Sequence, residues 1–247
     1  MKRVFDVSAS FAVLVLTSPI LITAMILVWF QDRHSPFYVA NRVGRAGKEF
    51  KMVKLRSMVV DADKTGVDST KASDGRITPV GHFIRRFKLD ELTQLVNVLV
   101  GDMSMVGPRP NVKRETDLYT PEEARLLSVR PGVTDYASIV FADEGDILDG
   151  QSDPDIAYNQ LIRPGKSRLG LFYVDQSSSS VDILLCMLTA LAIVSRRRAL
   201  KGVQRLLAAQ GAGMELVTLA GRRDGLVPSV PPGGDRIVTS RDGNPFV

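Results

Sequence analysis

Residues 7–30 read VSASFAVLVLTSPILITAMILVWF and contain no charged side chain. About 20 apolar residues are enough for a helix to cross the hydrocarbon core of a bilayer. The stretch therefore predicts a helix that enters a membrane, with Trp29 and Phe30 at the boundary, where amphipathic aromatic rings collect. A cleaved signal peptide is the alternative, but its apolar part is usually shorter, and no Ala-x-Ala-like cleavage site follows directly.

Ser18 and Pro19 stand in the middle of this helix. Proline has no N–H and clashes with the carbonyl four residues earlier, at Val15, so the helix should kink or break there. The Ser18 hydroxyl could bond a carbonyl one turn earlier. One interpretation is a spanning helix with a mild kink. The other is a helix-break-helix that enters and leaves the membrane by the same face.

Basic residues on both sides of the apolar stretch favour the re-entrant arrangement. Lys2 and Arg3 precede it, and several Lys and Arg residues follow it between positions 33 and 54. Cytoplasmic flanks are enriched in Lys and Arg, and a simple span would place one basic flank on the disfavoured side. We therefore predict that residues 1–32 form a membrane re-entrant helix whose ends are both cytoplasmic.

The rest of the chain predicts a mainly helical α+β fold. A small β-hairpin is expected over residues 37–55, with a turn at Gly44–Gly47, and a helix over residues 79–100, ended by Gly101. The apolar run 183–195 is too short to span, so it predicts a core helix or an amphipathic helix at the membrane interface. Glycine and proline are frequent after residue 201, which predicts a weakly ordered tail over 201–247.

Composition limits the classes of function. The net charge of +5 suits an anionic partner, and the hydrophobic content of 45% allows a packed core. The chain has one cysteine, Cys186, so no internal disulfide can form, and two histidines far apart make a His/Cys metal site improbable. Aromatic content of 6% without aromatics interleaved among basic residues argues against a nucleic-acid partner.

The segment RRFKLDEL at 85–92 is the strongest candidate for chemistry. Asp90 and Glu91 are successive on a helix and point about 100° apart, so they suit two different tasks on one bound object. One carboxylate could attack phosphorus while the other holds a divalent cation. The Arg85 cation and its neighbours would keep Asp90 ionised. Taken alone, such a pair is usually a solvated helix face.

Two further basic positions could bind phosphate. Arg109 stands between two prolines, which stiffen its backbone and pre-position a guanidinium for bidentate phosphate contact. Lys54 and Arg56 lie two residues apart at the end of the predicted hairpin and would share one face of a strand. The plain alternatives are a rigid surface loop and an ordinary solvent-facing strand.

These residues resemble the bacterial sugar transferase family, the monotopic phosphoglycosyl transferases. The similar features, in chain order, are Lys2-Arg3-x-x-Asp6, Ser18-Pro19, KLRSM at 54–58, RRFKLDELTQLVN at 85–97, GDMSMVGPRP at 101–110 and RPGVT at 130–134. The likeness covers about residues 2–200. Six motifs in order are far more specific than any one of them.

The resemblance implies an activity. Asp90 matches the family's nucleophile and Glu91 its Mg²⁺-holding partner, and Lys54, Arg56, Arg85 and Arg109 match positions that neutralise phosphate. Asp90 would attack a UDP-sugar, release UMP and carry the phosphosugar. A polyprenyl phosphate, usually undecaprenyl phosphate, would then accept it. Residues 33–200 would form the catalytic part at the cytoplasmic face of the bacterial inner membrane, in the first membrane step of exopolysaccharide or glycoconjugate synthesis.

The chain departs from the family pattern at three places. Thr93 stands where proline is common, His82 where Arg or Lys is common, and residues 135–138 replace a frequent Gly-Trp-Ala-Gln. The last departure puts the sugar donor in doubt. Alternative functions are hydrolysis of a polyprenyl diphosphate, a non-catalytic membrane scaffold and, more distantly, nucleic-acid binding.

Overall fold

The computed structural model describes residues 2–65 and 69–240 and is mainly helical, as predicted. The strands are β1 (Phe37–Val43), β2 (Glu49–Leu55), β3 (Ser104–Val106) and β4 (Gly132–Thr134). The α-helices are α1 (Lys2–Asp32), α2 (Pro79–Arg86), α3 (Leu89–Leu92), α4 (Leu95–Val100), α5 (Lys113–Thr116), α6 (Tyr136–Val140), α7 (Glu144–Leu148), α8 (Pro154–Ala157), α9 (Arg163–Gln176), α10 (Ser179–Val194), α11 (Arg196–Ala209) and α12 (Met214–Gly221).

Helix α1 is continuous across Ser18 and Pro19, so the predicted helix-break-helix is wrong as a description of its secondary structure. Pro19 cannot donate to the Val15 carbonyl, but the Ser18 hydroxyl donates to it at 2.8 Å. The Thr17 and Thr23 hydroxyls also donate to carbonyls one turn earlier. These bonds satisfy backbone acceptors around the proline and let the helix continue.

One narrow stripe of α1 is buried, and most of the remaining residues are apolar and either exposed or half-buried. The buried residues are Asp6, Ser10, Leu21, Ala24 and Val28, whose successive spacings of four, eleven, three and four follow one helix face. The most apolar 18-residue window of α1 is only 17% buried, whereas a core helix of a soluble protein would be mostly buried. Length and composition would allow α1 to cross a membrane.

Both ends of α1 are fixed to the rest of the chain. Lys2 Nζ donates to Asp182 at 2.6 Å and to the Tyr173 hydroxyl at 3.0 Å. At the other end Asp32 accepts two hydrogen bonds from the buried Arg56 guanidinium, at 2.5 and 2.7 Å. The helix therefore lies against the remainder of the chain at its first and last turns.

The predicted hairpin is confirmed. Strands β1 and β2 pair antiparallel, with Phe37 opposite Leu55 and Val43 opposite Glu49. Residues Arg45–Gly47 form the turn, and Ala46 and Gly47 both have positive φ.

The single helix predicted over 79–100 is instead divided into α2, α3 and α4. Lys88 adopts the left-handed conformation, with φ of 56°, and ends the α2 path. Further on, the Thr93 hydroxyl donates to the Asp90 carbonyl at the α3–α4 junction. Gly101, with φ of 103°, ends α4 as predicted.

Strands β3 and β4 are parallel and bring two of the sequence motifs together. Gly107 N donates to Thr134 O, and Gly132 N donates to Pro108 O, both at 3.0 Å. A Cβ on Gly132 would lie 2.0 Å from Gly107 N, so this crossing requires glycine. The pairing fixes Arg109 beside the strand that precedes Asp135.

The weakly ordered tail expected from residue 201 is wrong for most of that segment. Helix α11 continues to Ala209 and α12 follows, and Val203, Leu207 and Ala220 are buried in the main core with α6, α9 and α10. Beyond α12, Val238 is also buried, and its carbonyl accepts from the Gln160 side chain. The apolar face of α11 anchors this region in spite of the glycines and prolines that follow it. Residues 241–247 lie outside the described part.

Candidate active site

Helices α3 and α4 are held against strand β2 by side chains that bond the strand's backbone. Asn97 Nδ2 donates to Lys51 O at 2.7 Å, and Asn97 Oδ1 accepts from Val53 N at 3.0 Å. The Thr93 hydroxyl also donates to Val53 O, at 3.1 Å. These bonds place Asp90 and Glu91 beside Lys54, which lies near the end of β2.

Glu91 is held by two cations. Its Oε2 lies 3.2 Å from Arg109 Nη1, and its Oε1 lies 3.8 Å from Lys88 Nζ. Burial opposes ionisation, but Arg109, Lys88 and Lys54 together lower the pKa of Glu91 to about 2. Glu91 is therefore an anion with fixed partners.

Asp90 differs from Glu91 in both hydrogen bonding and charge. Its Oδ1 is buried and has no hydrogen-bond partner among residues 2–65 and 69–240. Burial and the neighbouring Glu91 anion raise the pKa of Asp90, although Lys54, Lys88 and Arg85 oppose that shift. The neighbouring cations therefore do not bring the pKa of Asp90 below its usual value. A more basic carboxylate is a better nucleophile once ionised.

Three of the four predicted phosphate-binding residues surround this pair. Burial and Arg109 lower the pKa of Lys54 to about 8, against the charges of Asp90 and Glu91. Arg85 donates from Nε to the Ser57 hydroxyl at 3.1 Å and interacts electrostatically with Asp90. Arg109 donates to Val133 O at 3.0 Å and pairs with Glu91. Lys54, Arg85 and Arg109 thus form a half-buried cationic site around two carboxylates.

The structure places Arg56 elsewhere, which corrects the prediction for that residue. Its guanidinium pairs with Asp32 and donates from Nε to Ser35 O at 2.8 Å. Strand β2 ends at Leu55, so the alternation that would put Arg56 on the same face as Lys54 no longer applies. Arg56 ties the end of α1 to the hairpin instead of lining the carboxylate site.

Exposed apolar residues occur in the segments before and after α3, which carries the two carboxylates. Phe83 and Phe87 of the α2 region pack ring on ring, with centroids 4.8 Å apart, and both are exposed. Val96 and Val100 of α4 are also exposed. An apolar surface of this kind marks a membrane or protein contact.

The model of the family described as "Bacterial sugar transferase" matches residues 1–196, about four fifths of the chain. This protein belongs to the bacterial sugar transferase family.

Individual bacterial sugar transferases match this chain over stretches of different length. An uncharacterized sugar transferase, EpsL of Bacillus subtilis (strain 168), is 34% identical over 196 residues, which cover 79% of this chain and 88% of the relative. The undecaprenyl-phosphate galactose phosphotransferase of Salmonella typhimurium is 40% identical, over 54% of this chain and 31% of the relative. The UDP-glucose:undecaprenyl-phosphate glucose-1-phosphate transferase of Caulobacter vibrioides is 38% identical, over 56% of this chain and 53% of the relative.

The departures of this bacterial sugar transferase from the family pattern have structural counterparts. Thr93 uses its hydroxyl to join α3 to β2, a bond that proline could not make. Asp135 caps α6 by accepting from Ser138 N at 2.7 Å. Although burial opposes the shift, Glu91 and Asp135 raise the pKa of Arg109, so Asp135 belongs to the surroundings of the site. His82 is exposed on α2.

Lys88 and Asp135 lie at the site but were not among the predicted site residues. An aspartate directly after the strand motif RPGVT, followed by a short apolar helix, is a cap signal that could have indicated Asp135. No local signal indicates that Lys88 takes the left-handed conformation, because that conformation is uncommon for lysine.

The carboxylates of the bacterial sugar transferase site fit a Mg²⁺ ion that also contacts substrate. Among the residues described, no group of three or more His, Cys, Asp or Glu side chains could form an all-protein metal site. Mg²⁺ is usually held by one or two carboxylates together with substrate phosphates and water. Glu91 and the unpartnered Asp90 Oδ1 supply such donors.

Proposed function

We propose that the protein transfers a sugar 1-phosphate from a UDP-sugar to a polyprenyl phosphate, such as undecaprenyl phosphate, and releases UMP. The observation that carries this proposal is the Asp90 carboxylate, which has an unpartnered buried oxygen among the Lys54, Lys88 and Arg85 cations. The names of the Salmonella and Caulobacter relatives support the acceptor, and the Caulobacter name supports the donor class. These names cite different sugars, so the donor's sugar stays open.

In the proposed first step, an Asp90 carboxylate oxygen attacks the phosphorus bonded to the sugar. The new bond is an acyl phosphate, and the bond from that phosphorus to the bridging oxygen breaks, so UMP leaves with both electrons. Lys54, Arg85 and Arg109 neutralise the phosphates and stabilise charge on the leaving group. Phosphoryl transfer depends on such positioned cations more than on acid/base groups.

In the proposed second step, a phosphate oxygen of the polyprenyl phosphate attacks the same phosphorus. The acyl phosphate bond breaks, Asp90 regains its carboxylate, and the product is a polyprenyl diphosphosugar. When bound, Mg²⁺ would neutralise charge on the donor diphosphate, and Glu91 would hold it. Arg109 and Lys88 fix the Glu91 carboxylate in place.

We also propose that both ends of α1 lie on the cytoplasmic face of the inner membrane. The 31 residues of α1 extend over about 46 Å, and a bilayer core is about 30 Å thick. A crossing helix would have its ends on opposite faces. Lys2 bonds Asp182 and Asp32 bonds Arg56, so one catalytic part contacts both ends, which supports entry and exit by one face.

Cysteine labelling tests this topology. We expect Val4→Cys and His34→Cys, each in a Cys186→Ser background, to react with a membrane-impermeant maleimide only after the cells are opened, because both exposed positions would be cytoplasmic. Lys48→Cys, on the hairpin, provides the reference for the catalytic part. Labelling of position 4 or 34 in intact spheroplasts, with position 48 protected, would show that α1 crosses the membrane.

A pH profile tests the role of Lys54. Its pKa of about 8 means that the ammonium loses its proton as the pH rises through that value. UMP release by wild type should therefore decline above about pH 8, and Lys54→Arg should move this decline to higher pH because guanidinium stays charged. Lys51→Arg, an exposed position on the same strand, is the control. Identical alkaline limbs for wild type and Lys54→Arg would remove Lys54 from the proposal.

The activity itself is tested by a panel of UDP-sugars in membranes containing the protein, with UMP as the readout. Transfer predicts sustained UMP release that needs a UDP-sugar, polyprenyl phosphate and Mg²⁺ together. Hydrolysis of a polyprenyl diphosphate predicts inorganic phosphate without a UDP-sugar. A scaffold predicts neither product, and that result with every donor of the panel would overturn the proposed function.

A further inference from the structure

A basic cleft of about 690 Å³ lies between α11 and α12, and none of the candidate active-site residues lines it. Among the described residues, none of those that line this cleft is a carboxylate, and five are cations: Arg196, Arg197, Lys201, Arg222 and Arg223. Like charges collected around one concave space repel each other, and an anion between them would relieve that repulsion.

Arg222 is the least exposed cation of the basic cleft, with only 10% of its side chain accessible. Its guanidinium lies over the Phe141 ring, 5.3 Å from the centroid, and Nη2 donates to Asp143 Oδ2 at 3.3 Å. Nε and Nη1 are buried and have no hydrogen-bond partner in the described part of the chain. Buried donors of this kind normally have an acceptor. At Arg222 the described residues supply no such acceptor.

Arg196 reinforces this imbalance. Its Nη2 lies 2.7 Å from Asp143 Oδ1, so two guanidinium groups share a single carboxylate. Its Nε is also buried without a partner in residues 2–65 and 69–240. The Arg196 and Arg222 pair therefore keeps an excess positive charge and free donors after Asp143 is counted. The exposed Arg197, Lys201 and Arg223 add charge at the mouth of the cleft.

We propose that the basic cleft is a second phosphate-binding site, separate from the carboxylate site. Guanidinium groups bind phosphate through their charge and their N–H donors, and Arg222 has donors that no acceptor in the described residues uses. The cleft begins where the apolar helix α10 ends, and Val194, at that end, is 85% exposed. An exposed apolar helix end followed by arginines is the arrangement that binds anionic lipid head groups. The phosphate can come from such a head group or from a soluble phosphate compound.

The test uses the full chain and two probes that distinguish these sources. Inorganic pyrophosphate is titrated calorimetrically into the protein in neutral detergent. Retention of phosphatidylglycerol, compared with phosphatidylcholine, is measured by native mass spectrometry. The variants are Arg222→Gln and Arg197→Gln/Lys201→Gln. The double variant leaves the Asp143 pairs intact and guards against misfolding of the first. Arg205→Gln removes a charge from an exposed position of the same helix outside the cleft and is the control.

We expect at least one probe to bind wild type and Arg205→Gln equally and both cleft variants at least about tenfold more weakly. Loss of phosphatidylglycerol alone assigns the cleft to a lipid head group, and loss of pyrophosphate alone assigns it to a soluble phosphate. Binding that is absent from wild type, or that the double variant and the Arg205→Gln control change equally, overturns the proposal. UMP release is a separate readout, so either result leaves the proposed reaction to its own test.

Discussion

Asp90→Asn should abolish nearly all UMP release, with a fall in kcat of roughly 10³-fold or more. An amide has almost the same shape as a carboxylate but cannot form the acyl phosphate. The Asp90 Oδ1 atom has no hydrogen-bond partner in the described residues, so replacing the carboxylate by an amide breaks no hydrogen bond of that atom. The measurement is the rate of UMP release with saturating UDP-sugar and polyprenyl phosphate.

The control for this prediction is Asp117→Asn, at an exposed aspartate that pairs with Lys113 on α5. It should leave the rate within about twofold of wild type, because an exposed ion pair contributes little. Both variants should have the same thermal unfolding midpoint as wild type. An Asp90→Asn protein that keeps a tenth or more of the wild-type rate, roughly, would show that Asp90 is not the nucleophile.

Glu123→Ala should lower the free energy of unfolding by about 3–5 kcal/mol. Glu123 and Arg163 are fully buried, with Arg163 Nε donating to Glu123 Oε1 at 3.0 Å. The Ser167 hydroxyl donates to the same oxygen at 2.6 Å, and Thr120 N donates to the other at 3.1 Å. Removing this carboxylate leaves the Arg163 cation buried without its counter-ion. Denaturant unfolding in detergent micelles measures the loss.

Asp175→Ala is the matched control for the buried pair. Asp175 pairs with Arg125, and both side chains are half exposed. This pair joins the same two elements as the Glu123–Arg163 pair, namely the turn Glu123–Ser128 and helix α9. Its removal should cost under about 1 kcal/mol. Equal losses of stability for Glu123→Ala and Asp175→Ala would mean that burial does not determine how much the Glu123–Arg163 pair stabilises the fold.

The sequence predicted those parts of the fold that depend on local pattern. The hairpin follows from two β-prone runs around a glycine turn, and the apolar helix follows from uncharged residues over 7–30. It failed at Lys88, where one left-handed residue divides the expected helix over 79–100. The Ser18 hydroxyl bonds a carbonyl one turn earlier, as predicted, but the helix continues across Pro19 instead of breaking there. A single-residue conformation such as that of Lys88 depends on tertiary neighbours that no local pattern encodes.

The candidate site was predictable in its members more than in its electrostatics. Lys54, Arg85 and Arg109 meet the Asp90–Glu91 pair as the motifs indicated. Arg56 could not be assigned correctly, because its partner Asp32 lies outside the hairpin, at the C-terminal end of α1. The upward shift of the Asp90 pKa arises from burial and from Glu91, and burial depends on the packed structure. Counting charges in the sequence does not include this effect of burial on the Asp90 pKa.

The cleft between α11 and α12 was not anticipated, because the sequence after residue 201 was interpreted by its glycine and proline content. The apolar positions Val203 and Leu207 nevertheless bury α11 in the main core. That burial places Arg196 and Arg222 around Asp143, although they are 26 residues apart in the chain. Composition alone averages over such a helix and conceals its buried face.

Intact-mass spectrometry of the protein after incubation with UDP-sugar alone, quenched under denaturing conditions, tests the nucleophilic role of Asp90 most directly. The account predicts a mass increase of one phosphosugar located on the peptide that contains Asp90, with one UMP released per protein and no adduct on Asp90→Asn. An active protein that gains no mass and releases UMP only after polyprenyl phosphate is added would transfer the phosphosugar directly, which contradicts the covalent mechanism.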